Sequence, residues 1–191
     1  MSAGVVLITG IAGGLGLACA EHLRGLGYDV LGWDAAHPEM DDMWHQVDVS
    51  NPDEVDEAVA GLPPLIAVVN CAGVSNRLSV SDLSVTEFDS ILRTNTVGTY
   101  AVARSTFPAL AAGGGTFVAI GSVAGSLAFR NRVAYCTSKA AVRMLVSCLA
   151  IEWAADNVRA VCISPGFVDA GMSAQGQQQG STSSAVVLSH T

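Results

Sequence analysis

Lysine is nearly missing from this chain: Lys139 is the only one among 191 residues, and the formal net charge is −8. Phosphate-rich partners are gripped by clustered Lys and Arg, so a chain without a basic run is not built for nucleic acid or an anionic membrane surface. Charged residues make up 14% and aromatics 6%, whereas half of the residues are hydrophobic. Gly, Asn or a charge nevertheless interrupts each apolar run before the roughly 20 residues that a membrane span requires. The start, "MSAGVVLITG", lacks the basic region and small-residue cleavage site of a signal peptide, so the expected location is cytoplasmic. Cys19, Cys71, Cys136, Cys148 and Cys162 lack the paired spacing of a zinc site or disulfide scaffold and are expected as reduced thiols in or near the core. His22, His37, His45 and His190 show no ligand-like spacing, and no metal is expected. A chain of this length holds one substantial domain, and its ligand is expected to be small.

What is present is an alternation of short and long apolar segments. "GVVLIT" (4–9), "DVLGW" (29–33), "LIAVVN" (65–70), "GTFVAIG" (115–121) and "VRAVCI" (158–163) are brief, β-branched and bounded by Gly, Pro or Asn, as buried strands are. A weaker strand, "MWHQVD" (43–48), is expected at the sheet edge. Residues 14–26, 52–61, about 85–111 and 133–155 carry apolar residues at three- and four-residue spacing and are expected as helices. Strands apolar on both faces that alternate with helices predict an α/β fold, a doubly wound parallel sheet with right-handed crossovers.

The first strand runs into "TGIAGGLG" (9–16). Gly10 permits the tight turn, Gly14 lets a phosphate approach the backbone, and Gly16 allows the new helix to pack closely, its free N–H groups facing an anion. An ordinary glycine-rich turn has the same composition, and the placement between strand and helix separates the two readings. At the end of the second strand stands Asp34, whose carboxylate can accept from both hydroxyls of an adenosine ribose and would repel a 2′-phosphate. NAD is therefore expected over NADP, with a solvated turn aspartate as the alternative.

A second cluster lies in "AYCTSKAA" (134–141). On a helix Tyr135 and Lys139 share a face at i and i+4, which brings an ammonium near a phenol. A free tyrosine titrates at about pH 10, and a nearby cation is expected to lower that value enough for acid–base work. A core tyrosine beside a surface lysine is the alternative. Ser122 ends a buried strand at the same edge of the sheet, where its hydroxyl can bond a substrate oxygen.

With the glycines spaced as TGxxxGxG and Tyr135 and Lys139 as YxxxK, the sequence resembles the short-chain dehydrogenase/reductase family over roughly residues 3–172. "DVS" (48–50), "NCAG" (70–73), Asn95 in "RTNTVGT", Ser122 in "AIGSVAG" and "SPGFV" (164–168) follow in the family's order. The resemblance implies a Rossmann-type catalytic domain over 1–172. Gly10, Gly14, Leu15 and Gly16 would flank the pyrophosphate, Asp48 and Val49 the adenine, and Asn70, Ala72 and Gly73 the middle of the cofactor. Pro165, Gly166 and Val168 would approach the nicotinamide. It also implies that Asn95, Ser122, Tyr135 and Lys139 are catalytic, with Lys139 on the nicotinamide ribose and Asn95 holding a water in a proton relay. The bland alternative for Asn95 is a helix kink. The activity implied is hydride transfer between NAD(H) and a secondary alcohol or ketone.

Three departures stand out. Val161 and Ala170 replace the usual Asn and Thr around the PG motif, which bears on cofactor affinity. The last nineteen residues, 173–191, hold no Asp, Glu, Lys or Arg and read as a polar tail in which "AVVL" (185–188) can add a short edge strand. Family members usually carry a substrate-covering helix pair and a seventh strand there, so an NAD(H)-binding protein with little turnover is the alternative expectation. Association is expected too. Val142, Leu145, Val146, Leu149 and Trp153 exceed the apolar stripe that one sheet contact buries, so a homodimer through this helix, or a homotetramer, is predicted.

Overall fold

The computed structural model describes residues 2–36 and 43–168. The expected tail and its edge strand, with Ala170, His37 and His190, lie outside the described residues. Six parallel strands form one sheet: β1 (Val5–Thr9), β2 (Asp29–Asp34), β3 (Trp44–Gln46), β4 (Ala67–Asn70), β5 (Thr116–Ile120) and β6 (Arg159–Ile163). Their spatial order is β3-β2-β1-β4-β5-β6. The chain thus winds outward from β1 in one direction and, after β3, crosses back to β4 and winds the other way. The register pairs Thr9 with both Trp33 and Asn70, so the ends of the three central strands are level. A crevice opens at that reversal, outside the carboxyl ends of the strands.

Side-chain alternation along β1 builds two cores. Leu7 packs with Trp33, Val68, Phe117 and Ala160 on one face, and Val6 and Ile8 pack with Ile11, Val30 and Trp44 on the other. The first face is covered by helices α2 (Pro52–Ala58), α4 (Gly98–Ala111) and α5 (Val133–Glu152), and the second by α1 (Gly14–Gly25). Burying each such Val, Leu or Ile contributes about 1.5–3 kcal/mol against the entropy of ordering the chain. Local signals set the helix starts. Asn51 caps α2 by accepting from the Asp53 N–H, with Pro52 at the first helical position. Ser84 and Glu87 form a capping box that opens α3 (Val85–Leu92).

Two expectations change. The single helix expected over 85–111 is interrupted, because Arg93–Val97 forms a π turn between α3 and α4 in which the Gly98 N–H reaches back to the Arg93 carbonyl. The extra residue rotates Asn95 into the interior, where it is 0% exposed. The apolar surplus on α5 is also accounted for differently. Val142, Val146, Leu149 and Trp153 are buried in the α5 face of the core and Leu145 packs partly against it. Trp153 meets Phe107 and Phe117 at ring-centroid distances of 5.0 and 6.0 Å. The residues expected to face a partner are therefore sheet-facing, and the exposed large apolar side chains of α5 are Val133, Met144 and Ile151. The thiols also divide: Cys19, Cys71, Cys136 and Cys162 are half-buried, whereas Cys148 is exposed.

Candidate active site

The crevice is a cleft of about 450 Å³ running from the β1–α1 turn to Tyr135. At one end its floor is backbone. Gly10 has φ +66, and a Cβ there would stand 2.7 Å from the Ala72 nitrogen. A Cβ on Gly16 would collide with the Gly10 carbonyl oxygen. Both positions therefore exclude any side chain, one by conformation and contact and the other by contact alone. Helix α1 begins at Gly14 with no side-chain cap, and Gly13, Gly14, Leu15 and Gly16 line the cleft. Its first-turn N–H groups are thus placed as donors to an anion. Asp34 closes this end: its carboxylate accepts from the N–H groups of Ala12 at 2.9 Å and Ala36 at 3.0 Å. These bonds hold the carboxylate against the glycine loop.

The middle of the cleft is lined by Asp48, Val49, Ala72 and Gly73, together with Pro165, Gly166 and Val168 from the segment after β6. Asp48 accepts from the Ser50 N–H at 2.8 Å, which shapes the turn that presents Val49. The segment after β6 is tied to the strand that carries Ser122: the Gly121 N–H donates to the Ile163 carbonyl at 2.7 Å and the Val123 N–H to the Pro165 carbonyl at 3.0 Å.

Behind this lining runs a buried polar chain. Thr9 Oγ1 donates to Asn70 Oδ1 at 2.7 Å, Asn70 Nδ2 to Thr99 Oγ1 at 2.9 Å, and Thr99 Oγ1 to the Asn95 carbonyl at 2.6 Å. Asn95 clamps the strand end opposite, accepting from the Val74 N–H at 2.8 Å and donating to the Val74 carbonyl and Ser138 Oγ, both at 2.9 Å. Ser138 Oγ in turn donates to the Tyr135 carbonyl at 2.8 Å. Satisfied networks of this kind rigidify a core because an unpaired member would be costly. Asn70, Asn95 and Lys139 thus stand behind the cleft wall, whereas Tyr135 and Ser122 line it. Thr9, Thr99 and Ser138 were not among the expected site residues. Their one signal in the sequence is a hydroxyl set in an otherwise apolar strand or helix.

The reactive end differs from expectation in one respect. Tyr135 lines the cleft with Ser122, whose hydroxyl favours the phenolate, and lies against Lys139, whose Nζ is 5.8 Å from the ring centroid. Burial nevertheless pushes the phenol above its usual value, and the opposing effects of Ser122 and the Arg132 guanidinium do not reverse it. The expected lowering by Lys139 is therefore not met in this geometry. Lys139 is only 4% exposed and donates to the Ile120 carbonyl at 2.7 Å; burial depresses the ammonium to about 8. A cation that is itself desolvated and aimed at a carbonyl is a weak stabiliser of the phenolate. Gly73 keeps this corner open, because a Cβ there would lie 3.2 Å from Asn95 Oδ1 and 3.5 Å from Lys139 Nζ.

The residues present fit a dinucleotide: a side-chain-free cradle at an uncapped helix start, an acidic group at the end of β2 beside it, and a phenol and a hydroxyl at the far end. Comparison with known proteins agrees. The profile of the short chain dehydrogenase family matches residues 4–180. The chain is 31% identical over 175 residues to an NAD-dependent glycerol dehydrogenase of Listeria innocua, covering 84% of this chain and 69% of that protein. It is 29% identical over 189 residues to 2-(R)-hydroxypropyl-CoM dehydrogenase of Xanthobacter autotrophicus, covering 88% of this chain and 76% of that one. A Burkholderia cenocepacia short chain dehydrogenase solved in complex with NADP superposes with a TM-score of 0.83 at 24% identity, covering 91% of this chain and 76% of that one. The sheet order, the glycine cradle and the family match lead to one conclusion: the chain belongs to the short-chain dehydrogenase family of oxidoreductases.

Proposed function

We propose that this chain interconverts a secondary alcohol and its ketone with NAD(H), Tyr135 exchanging the proton. The observation that carries the reading is that Tyr135 and Ser122 line the cleft together, the hydroxyl acting on the phenol, at the end opposite the glycine cradle. When bound, the nicotinamide accepts or donates the hydride. The chain's own residues do the rest. Ser122 Oγ holds the substrate oxygen beside the phenol, and Tyr135 takes the proton from the alcohol or returns it to the ketone. Lys139 and Asn95 act from behind the wall, the lysine as the source of positive charge near the phenol and Asn95 as the clamp that keeps Gly73 and Val74 clear of it. Gly10, Gly14, Leu15 and Gly16 cradle the pyrophosphate, Asp48 and Val49 flank the adenine, and Pro165, Gly166 and Val168 border the nicotinamide. Asn70 anchors the middle of the site through Thr9 and Thr99, beneath Ala72 and Gly73.

Preference for NAD over NADP rests on Asp34, whose carboxylate faces a cleft that, among the described residues, no Arg or Lys lines to receive a 2′-phosphate. Residues 1–172 make up the catalytic domain in this reading. Exposed Met144 and Ile151 on α5, 62% and 79% accessible, support a homodimer through that helix, and free thiols fit the reducing cytoplasm. The test is turnover of secondary alcohols by wild type and Tyr135→Phe, followed by NADH formation, alongside tryptophan-to-NADH energy transfer. The variant should lose about 10²–10⁴-fold in kcat while binding NADH normally. Unchanged turnover by Tyr135→Phe would overturn the mechanism, and equal affinity for NADH and NADPH would overturn the role of Asp34.

A further inference from the structure

Beside the reacting phenol the charge balance of this acidic chain is reversed. Arg132 sits at the start of α5, half-buried, with its guanidinium carbon 5.7 Å from the Tyr135 ring centroid. One of its N–H groups, on Nη1, donates to Ser75 Oγ at 3.0 Å, just past the cleft-lining Val74. A guanidinium has five N–H donors in a rigid fork, so the Ser75 bond leaves most of that fork unused. Arg77 is close enough to repel it, and among the described residues no carboxylate pairs with either side chain. This contrasts with Arg104, which on the outer surface pairs with Asp56. Helix α5 opens at the same point with no side-chain cap, adding the positive end of a twenty-residue helix.

Each of these features costs stability. A half-buried guanidinium held near a second one, without a counter-charge, is disfavoured both by desolvation and by repulsion, and the Arg132 proton affinity is lowered by these two causes in that order. An anion bound at Arg132 would relieve the desolvation and the repulsion and meet the uncapped helix start, and among the described residues no carboxylate pairs there.

We propose that the substrate is a small hydroxy acid or keto acid whose anionic group is bound by Arg132 and Arg77 while its hydroxyl or carbonyl lies between Ser122 and Tyr135. This rests on the reading of Tyr135 as the proton-transfer group and adds the substrate class to it. The guanidinium stands 5.7 Å from the ring centre, within cation–π range of it, so one small molecule can meet both the charged fork and the phenol beside it. A carboxylate presents the planar acceptor pair that fits the fork. Arg132 and Arg77 are in this account specificity residues, which select the substrate without taking part in the hydride step.

The experiment compares 3-hydroxybutanoate, both enantiomers, with the corresponding methyl 3-hydroxybutanoates, in wild type, Arg132→Gln, Arg132→Lys and Arg77→Gln. The ratio of kcat/KM for acid over ester is the readout, because any effect of Arg132 on Tyr135 itself alters both substrates and cancels. The ratio should favour the acid in wild type, fall by about tenfold or more in Arg132→Gln, fall less in Arg77→Gln, and recover in part in Arg132→Lys. Butanoate, which carries no hydroxyl, provides a second readout: its binding by calorimetry in the presence of NADH should weaken in Arg132→Gln. A wild-type ratio near one, or a ratio unchanged in Arg132→Gln, overturns the anion site while leaving the oxidoreductase reading intact. If no alcohol turns over but butanoate binds and Arg132→Gln abolishes that binding, the anion site stands and the oxidoreductase reading falls. Absence of butanoate binding together with absence of turnover overturns both.

Discussion

The nucleotide end of the cleft is made by leaving side chains out, and the tyrosine end is made by fixing several in place. At Gly10 and Gly16 the nearest obstacles are backbone atoms, of the segment after β4 for the first and of the loop itself for the second, so what matters there is the absence of side chains. At Tyr135 the wall is a relay of hydroxyls and amides from β1, β4, the π turn and α5, brought together across as many as 63 positions of sequence. The contrast teaches where each half is vulnerable. The first half tolerates no added atoms, and the second no missing hydrogen bonds.

Truncating the clamp breaks the second half most severely. Asn95→Ala removes the acceptor for the Val74 N–H and the donor to the Val74 carbonyl and Ser138 Oγ, leaving buried polar groups without partners. It should cost about 2–4 kcal/mol in urea unfolding and lower turnover more than NADH affinity. A loss below the error of the unfolding curve would show that the relay is not what holds this wall. Filling the first half should cost less stability and more cofactor. Gly10→Ala places a methyl group 2.7 Å from the Ala72 nitrogen at a φ of +66, so about 1–2 kcal/mol of stability and most NADH affinity should be lost, read by thermal unfolding and energy transfer. Normal NADH binding by that variant would break the comparison.

The smallest effect sharpens it through pH. Lys139 is depressed to about 8 by burial, so from about pH 8 up to its unfolded value of 10.5 the unfolded chain holds a proton that the native chain has released. Stability therefore gains from Lys139 as pH rises through that window, with a slope of up to about 1.4 kcal/mol per pH unit. Tyr135 acts in the opposite sense. Its value is raised above the usual 10.0, so above about pH 10 the native state retains a proton that the unfolded chain gives up, and stability declines. Lys139→Met should flatten the rise between pH 8 and 9, above which the buried Cys71 thiol, raised to about 12, offsets it by keeping its proton, and should leave the decline above pH 10. Urea midpoints measured across that range check both limbs, and an unflattened rise would assign the proton to another group.

Much of this molecule was legible along the chain because its signals are local. Strand and helix alternation, the glycine spacing of the β1–α1 turn and the place of Asp34 at the end of β2 are signalled by neighbours within a few residues, and period and turn chemistry reveal them. The spacing of Tyr135 and Lys139 was equally plain, but the consequence drawn from it was not, because the lysine's partner is the Ile120 carbonyl, nineteen residues away in the chain. Only the tertiary structure decided that burial outweighs the ammonium at the phenol. It also decided that the apolar surplus of α5 packs on the sheet, and that a π turn inside an apparently continuous helix brings Asn95 to Val74 and Ser138. Desolvation and hydrogen-bond partners depend on which distant elements close over a residue, and no local pattern carries that information. The placement of Arg132 between Ser75 and Tyr135 belongs to the same class, since the loop after β4 and the start of α5 meet only when the sheet is wound.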